Sequence, residues 1–198
     1  MDLKKIVVVC EPHADDSYLS CHQHIVDWIA EGKIVLIITV LSGTRKRAKD
    51  AKMYADSVGA SWYGMGFDEL SDTKDNYLKT PFNPLPGMTG MLYTLDDVSL
   101  VIPLSIQNPD HKAVTAWIKE SYTQPIIYYA EIPYVLKHKN EDEVNDMMRG
   151  KKVYSIKKPK FTKVAEKYWK CFADQSKFFF YNPPESFKDI PEILLTEG

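Results

Sequence analysis

The feature that most restricts the fold of this chain is an alternation of short apolar runs with longer amphipathic segments. The first run, Ile6 to Cys10, is rich in β-branched residues without polar alternation, which is typical of a strand buried on both faces of a parallel sheet. From Asp16 to Glu31 the apolar residues recur at helical spacing, and Gly32 stands where this helix would end. Lys33 to Leu41 is a second apolar run, so these segments predict a right-handed βαβ unit.

The same alternation continues beyond this unit. It predicts further helices and strands in the following order: a helix at Arg45 to Val58 before Gly59, strands at Ser61 to Phe67 and Val98 to Leu104, a helix at Pro109 to Tyr122, a strand at Ile126 to Tyr129, a helix at Lys163 to Gln175, and an apolar closing segment at Phe178 to Tyr181. Such an order predicts an α/β, Rossmann-like fold, with a mostly parallel sheet and helices on both faces. A length of 198 residues fits a single domain over 1–198.

The composition is that of a soluble globular protein, with 44% hydrophobic and 26% charged residues. A net charge of -2 gives no reason to expect nucleic acid or an anionic membrane as a partner, and we interpret the basic cluster of Lys157, Lys158 and Lys160 as a solvated connection. The N-terminus leads into only five apolar residues, too few for a signal peptide or a membrane span. Three cysteines, an odd number, argue against a disulfide framework. We therefore expect a cytoplasmic protein; the sequence does not set its oligomeric state.

One long segment, Asp68 to Leu95, interrupts the alternation. It contains three prolines, Pro81, Pro84 and Pro86, and has little periodicity. Proline lacks the amide donor that a central strand needs, and irregular loops of this length are commonly lids or binding loops. We expect this segment to form a wall over the functional site and to set substrate choice.

The first motif whose side chains can bind a metal or take part in catalysis is Pro12-His13-Ala14-Asp15-Asp16, directly after the first predicted strand. If a helix begins here, His13 and Asp16 lie three residues apart and converge, whereas Asp15 points about 100° away around the axis. An imidazole and a carboxylate that meet in this way can hold a divalent metal. The alternative is that Asp15, Asp16 or Ser17 caps the helix and His13 is an ordinary loop residue.

The second motif is Asn108-Pro109-Asp110-His111, after the strand predicted at Val98 to Leu104. Asn at the N-cap and Pro at the first helical position are favoured for backbone reasons alone, so His111 needs no function on that account. However, both motifs follow parallel strands and therefore lie at the same edge of the sheet, where His111 can supply a third ligand. Two imidazoles and one carboxylate leave a position for water, as in catalytic zinc sites, and Asp15 is the adjacent group that can take the water's proton.

These two motifs resemble those of the LmbE-like or PIG-L zinc-dependent N-acetylglucosaminyl deacetylases. The family's Pro-His-x-Asp-Asp motif is matched at residues 12–16, and its His-Pro-Asp-His motif at three of four positions by residues 108–111. Weaker likenesses include Ser42-Gly43-Thr44. The resemblance implies zinc held by His13, Asp16 and His111, with Asp15 as the general base and Asp110 as a supporting residue near the metal.

Three positions depart from the family pattern. Ser17 replaces a glutamate, Cys21-His22-Gln23 occupies a stretch that is usually rich in glycine, and Asn108 stands where the family often has histidine. That histidine is thought to help stabilise the tetrahedral intermediate. Asn108 can donate a neutral hydrogen bond but cannot act as a cationic acid. We therefore take Asn108, together with Asp15 and Asp110, as a candidate catalytic residue.

Four further polar residues follow predicted strands or lie in the helix after the first motif. Arg47 is a candidate for binding a substrate hydroxyl or anionic group, although a surface helix would also explain it. Glu131 ends a strand at the reactive edge, where it can contact substrate or make a structural hydrogen bond. His22 and His24 are two positions apart and cannot share a helix face, so we expect ordinary surface residues.

The predicted function is a zinc-dependent hydrolase that removes the acetyl group from an N-acetylglucosamine-type amino sugar or glycoconjugate. A metal-activated water is the expected nucleophile and Asp15 the expected general base. One alternative is a metal-dependent phosphoesterase, which would want more carboxylates than Asp15 and Asp110. A non-haem iron enzyme is another, because it uses the same two-histidine, one-carboxylate set. A non-catalytic metal- or sugar-binding module is the third, favoured by Asn108 and opposed by Asp15.

Overall fold

The computed structural model describes residues 2–43, 45–67, 97–132, 134–136, 141–158 and 190–198. Within these ranges the strands and helices are, in chain order, β1 (Ile6–Glu11), α1 (Asp16–Ala30), β2 (Ile34–Thr39), α2 (Arg45–Val58), β3 (Ser61–Gly64), β4 (Val98–Pro103), α3 (Pro109–Ser121), β5 (Ile126–Tyr129), a 3-10 turn (Tyr134–Leu136), α4 (Glu141–Met148), β6 (Lys151–Lys157) and β7 (Glu192–Glu197).

All the described strands belong to one sheet, in the order β3-β2-β1-β4-β5-β7-β6. The first five strands in this order are parallel, and β7 is antiparallel to both of its neighbours. The apolar run of β1 lies near the middle, and its residues Val7, Val8 and Val9 are fully buried. This arrangement confirms the predicted α/β fold with a mostly parallel sheet.

The two faces of the sheet carry different helices. Val7 and Val9 face the core that contains residues of α1 and α2, whereas Val8 and Cys10 face the core that contains residues of α3 and α4. Successive side chains of a strand point to opposite faces, so an unbroken apolar run is what a strand covered on both sides requires.

The order of the strands also locates the reactive edge. From β1 the chain proceeds outward to β2 and β3, and it then crosses to β4 and β5 on the other side of β1. At such a reversal the connections after the two central strands diverge and leave a crevice beyond their carboxyl ends. In this chain the reversal falls between β1 and β4, the strands that the two sequence motifs follow.

Helix α1 is the most deeply buried helix among those described. Residues 16 to 25 are all buried, including His22 and His24. The helix ends in a Schellman motif, because the Lys33 amide donates to the Trp28 carbonyl and the Gly32 amide to the Ile29 carbonyl. Gly32 has a φ of 79°, a left-handed conformation that favours glycine, as its predicted place at the helix end requires.

The surface interpretation of His22 and His24 was wrong. His22 is 4% exposed and meets the Tyr54 hydroxyl at 3.1 Å, and His24 is 1% exposed. The helix packs against β1, β2 and β7 of the sheet and also against α2, so two residues on different faces of the helix are both enclosed. Burial lowers the pKa of each imidazole to about 4.

Other predictions differ from the structure at particular elements. The third strand stops at Gly64 rather than Phe67, because Gly66 has a φ of 78° that no strand residue adopts. Lys157 lies in β6 and forms an ion pair with Asp27 at 2.9 Å, so it is part of the sheet and not of a solvated connection. The segments predicted at 68–95, 163–175 and 178–181 lie outside the described residues. No helix in the described ranges has the length and apolar character needed to cross a bilayer.

Candidate metal centre

The loop after β1 and the start of α3 bring three potential metal ligands together. His13 Nδ1 lies 3.1 Å from His111 Nε2 and 3.6 Å from Asp16 Oδ2, and His111 Nε2 lies 3.3 Å from Asp16 Oδ2. Ligand atoms at about 2.0–2.2 Å from a tetrahedral zinc ion are separated by about 3.3–3.6 Å. The three atoms therefore form one face of a tetrahedron of the size that zinc requires.

Each imidazole is held at the nitrogen that faces away from this triangle. His13 Nε2 lies 3.0 Å from Asp110 Oδ2, and His111 Nδ1 lies 2.6 Å from Glu131 Oε1. A carboxylate behind a metal-binding histidine fixes the ring and keeps the opposite nitrogen available to the ion. The donor set and its supporting carboxylates thus fit a divalent metal.

The charges of the triangle are strongly coupled. Burial lowers the pKa of His13, but hydrogen bonds to Asp110 and Asp16 and the charges of Asp16 and Asp15 outweigh it, so that the pKa rises to about 10. Burial raises the pKa of Asp16, but the imidazoles of His111 and His13 reverse the shift, and the net change is downward. The buried carboxylate of Asp16 therefore favours positive charge beside it, either a proton on an imidazole or a metal cation.

Asp15 is the residue at the N-cap position of α1, but its side chain makes no capping hydrogen bond. Glu11, the last residue of β1, does so from outside the helix, because its Oε2 accepts the Ser17 amide hydrogen at 2.9 Å. Burial and the charge of Asp16 raise the pKa of Asp15 to about 6, although His13 and Arg47 oppose the shift. The carboxyl of Asp15 is buried beside the triangle without being one of its ligands.

The capping interpretation of the second motif is correct as far as Asn108 is concerned. Asn108 is the N-cap of α3, its Oδ1 accepts the Asp110 amide hydrogen at 2.9 Å, and Pro109 occupies the first turn. The Asn108 amide nitrogen donates to the Tyr134 hydroxyl at 3.0 Å. The first turn of α3 is therefore capped by Asn108, and the same turn also places His111 in the site.

Glu131 makes structural hydrogen bonds, the alternative that the sequence left open beside a substrate contact. It is fully buried, and its Oε2 accepts the Ile106 amide hydrogen at 2.9 Å while its Oε1 contacts His111. The Ile106 amide belongs to a turn in which Ser105 and Gln107 have φ values of 75° and 61°. These left-handed residues are strained, and the glutamate holds the turn that leads into α3.

Two of these residues could be found from the sequence only in part. Glu11 is a charged residue at the end of an otherwise apolar strand, which signals an unusual environment but not its partner Ser17. Tyr134 has no local sequence signal, because Asn108 and His111, which contact it in the folded chain, lie more than twenty positions away; the ring centroids of Tyr134 and His111 are 5.4 Å apart. Arg47 is half-buried in the first turn of α2 and lowers the pKa of Asp15, so its charge reaches the site.

Comparisons with known proteins find similar structures but no similar sequence. No protein-family model and no curated protein sequence matches this chain. Among solved structures it is similar to the zinc-inhibited form of teicoplanin deacetylase Orf2, with a TM-score of 0.67 and 15% identity over 96% of this chain and 97% of that one. It is also similar to the A40926 pseudoaglycone deacetylase Dbv21, with a TM-score of 0.65 and 15% identity over 99% and 97% of the two chains.

A third similar structure is N,N'-diacetylchitobiose deacetylase from Pyrococcus horikoshii in complex with its inhibitor MPG. Its TM-score is 0.54, with 14% identity over 96% of this chain and 83% of that chain. Likeness at such identities shows a shared fold, and it is the fold in which the resemblance of the two motifs had placed the chain. The reaction must be argued from the site itself.

Proposed function

We propose that this protein is a zinc-dependent N-deacetylase that hydrolyses the acetamide group of an N-acetylated amino sugar or glycoconjugate. The observation that carries the proposal is the triangle of His13 Nδ1, Asp16 Oδ2 and His111 Nε2, with separations of 3.1–3.6 Å. Its position at the switch point of a fold shared with three deacetylases supports the same reaction class. One of those proteins is named for an N-acetylated disaccharide, which supports an amino sugar as substrate.

Zinc held by His13, Asp16 and His111 would supply a Lewis acid for the acetyl carbonyl and lower the pKa of water to roughly 7. Asp15 is placed to accept the proton of the attacking water as the new C–O bond forms. The same carboxyl then returns that proton to the amide nitrogen as the C–N bond breaks. Acetate and a free amine leave, and Asp110 and Glu131 keep both imidazoles in place throughout.

Arg47 is proposed to bind the substrate and not to take part in bond breaking. Its charge reaches Asp15 from the first turn of α2. A guanidinium at this point can hold a sugar hydroxyl or an anionic group. Arg47→Ala should therefore raise KM and leave kcat nearly unchanged.

The paired-metal phosphoesterase receives less support than the deacetylase. Across the described part of the chain, His13, Asp16 and His111 form a single group with metal-binding geometry. Two-metal sites need further ligands about 3.5–4 Å away, and the carboxylates of Asp110 and Glu131 are already bonded to the two imidazoles. A one-metal site agrees better with amide hydrolysis.

The test is acetate release by metal-replete protein from a panel of N-acetylated sugars, sugar nucleotides and glycoconjugates. We expect release that stops on chelation and returns with zinc, and that is absent in His111→Ala. A phosphate ester assayed in parallel and an anaerobic run test the phosphoesterase and the iron enzyme. Sugar binding without acetate release from any member of the panel would contradict the proposal and favour the non-catalytic module.

A further inference from the structure

The orientation of the Asn108 amide is determined by its hydrogen bonds. Its Oδ1 accepts the Asp110 amide hydrogen, so its nitrogen must be the atom that lies 3.0 Å from the Tyr134 hydroxyl. An amide nitrogen can only donate, which means that the phenol oxygen accepts this hydrogen bond. Asn108 therefore fixes the direction of the Tyr134 hydroxyl, and the O–H of the phenol is directed to a different partner.

Tyr134 lies at the rim of the metal centre. It comes from the short turn after β5, and its ring meets the His111 ring edge to face, with centroids 5.4 Å apart and planes at 76°. The residue is partly exposed, unlike His111, which is fully buried. Hence the tyrosine lies directly beside a candidate metal ligand, and part of its side chain is accessible to solvent.

We propose that the Tyr134 hydroxyl donates a hydrogen bond to the carbonyl oxygen of the substrate as that oxygen becomes an oxyanion, and that Asn108 is the residue that positions it. The inference rests on the proposed deacetylation, which it deepens. Asn108 uses its carbonyl as the helix cap and its amide to hold the tyrosine, so the contact with the reacting group passes to Tyr134.

The proposed step involves no transfer of the phenol proton. The water oxygen forms a bond to the acetyl carbon, the electron pair of the C=O bond moves onto the oxygen, and the phenol O–H donates to that oxygen. The interaction is stronger with an oxyanion than with a neutral carbonyl, so it stabilises the transition state more than the bound substrate. Removal of one such donor commonly reduces kcat on the order of 10²–10³-fold.

The first experiment is Tyr134→Phe, which keeps the ring against His111 and removes only the hydroxyl. We expect kcat to fall about 10²-fold or more, with KM changed less than about threefold. Zinc affinity, measured by calorimetry, should stay at the wild-type value. Affinity for a methylphosphonamidate analogue of the acetamide, a mimic of the tetrahedral species, should fall in parallel with kcat.

The matched control is Tyr122→Phe. Tyr122 is a more deeply buried tyrosine whose hydroxyl is also hydrogen-bonded, but it donates to the Val98 carbonyl at 3.3 Å and has no contact with the candidate metal ligands among the bonds described. Its loss should leave kcat and the affinity for the analogue unchanged. A comparable loss of kcat in both variants would reveal a general effect of removing a buried hydroxyl and would overturn the inference.

The positioning role of Asn108 is tested by Asn108→Asp. A carboxylate keeps an oxygen for the helix cap but cannot donate to Tyr134, so the phenol turns its O–H toward residue 108. We expect kcat to fall nearly as far as in Tyr134→Phe, with helix content and zinc affinity retained. When Asn108→Asp is added to Tyr134→Phe, the further loss of kcat should be less than about threefold, because the two residues act through one hydrogen bond.

The outcomes separate this inference from the proposed function. Wild-type protein that releases no acetate from any substrate overturns the proposed function and the inference with it. Wild-type protein that does release acetate, together with a Tyr134→Phe variant of equal kcat and equal affinity for the analogue, overturns the inference alone. Additive losses in the double variant overturn the role of Asn108.

Discussion

At the scale of single residues, the geometry of the candidate metal centre depends on two carboxylates outside the triangle of ligand atoms. His13 and His111 each have one nitrogen in the triangle and the other at a carboxylate, Asp110 for the first and Glu131 for the second. A neutral imidazole can present only one nitrogen as an acceptor, and the carboxylate decides which one. Glu131 and His111 are both fully buried, so water cannot replace Glu131 as the partner of the imidazole.

Glu131→Gln tests this contribution. The amide keeps the size of the side chain but removes the charge behind His111, so zinc affinity should fall on the order of 10–100-fold. Calorimetry or competition with a chelator measures this change. The control is Glu143→Gln, which removes a charge that bonds the Gln107 amide and Lys112 but does not reach His111. Equal zinc affinities for the Glu131 variant and the wild type would contradict the assignment.

Asp15→Asn tests the general base. The side chain is buried beside the ligands, and its pKa of about 6 leaves it ionised at neutral pH. The asparagine variant cannot accept the proton of water, so it should bind zinc normally and lose on the order of 10²–10⁴ in rate. Metal content and acetate release are measured on the same preparation. Near-normal turnover by the zinc-replete variant would remove Asp15 from the mechanism.

At the scale of elements, the first turn of α1 is capped by a residue of a strand and not by a residue of the helix. Glu11 at the end of β1 accepts the Ser17 amide hydrogen and the Thr39 hydroxyl hydrogen, the latter at 2.6 Å. Thr39 in turn accepts a hydrogen bond from the Trp62 indole, so β1, β2 and β3 are joined at the edge that carries the site. This frees Asp15 from the capping role that its position would otherwise give it.

Removal of this carboxyl in Glu11→Ala should lower the free energy of unfolding by about 1–3 kcal/mol, because buried donors lose their acceptor. Urea denaturation at pH 6 measures the change, since burial raises the pKa of Glu11 to about 8 and the group is neutral there. Lys52→Ala is the contrast: it removes an exposed ion pair with Asp56 within α2, which is worth no more than about 0.5 kcal/mol. Similar losses for both variants would argue against the anchoring role.

At the scale of the whole molecule, the last strand is tied to the helix that carries the site. Gln23 lies in the middle of α1, and its main-chain N–H donates to both carboxyl oxygens of Glu192 in β7, at 2.9 and 3.0 Å. Burial raises the pKa of Glu192 from 4.5 to about 8 despite these hydrogen bonds. The C-terminal strand thus encloses an acid inside the core that unfolding would expose to water.

This acid should make stability depend on pH. Because the folded pKa is the higher one, the native state binds more protons between about 4.5 and 8, and stability decreases as pH rises through that range. From pH 6.5 to 8.5 the loss due to Glu192 is on the order of 1–2 kcal/mol. Glu11 adds a decrease over the same range, whereas His22 and His24, whose pKa values fall from 6.5 to about 4 on folding, increase stability with pH chiefly below pH 6.5.

Comparison of Glu192→Gln with the wild type isolates the contribution of this residue. The variant should lose less stability between pH 6.5 and 8.5, as measured by chemical denaturation of the metal-free protein. Glu197→Gln, in the same strand but with an exposed side chain, should keep the wild-type slope. A wild-type slope in the Glu192 variant would show that this carboxyl is already ionised at neutral pH in the folded state.

The central sheet and the convergence of His13, Asp16 and His111 were predictable because their signals are local. A β-branched run specifies a buried strand, helical spacing specifies the helix after it, and the rule for parallel sheets then places His13, Asp16 and His111 at one edge. Edge strand β6 and helix α4 were missed for the same reason. The strand has lysines at both ends and no buried residue, and the helix has no buried residue either, so neither has the pattern of a core element.

What the tertiary structure alone decided is which polar residues meet. Glu192 and Gln23 are 169 positions apart, and Asn108 and Tyr134 are 26 positions apart, and no local pattern links either pair. The enclosure of His22 and His24 likewise depends on β7 and α2 packing around α1. The sequence determined the parallel strands, the helices packed on them and the position of the candidate metal ligands, because these follow from periodicity and from the order of the elements. Their partners follow from chain packing, because a buried polar group must be satisfied by whatever group the fold brings to it.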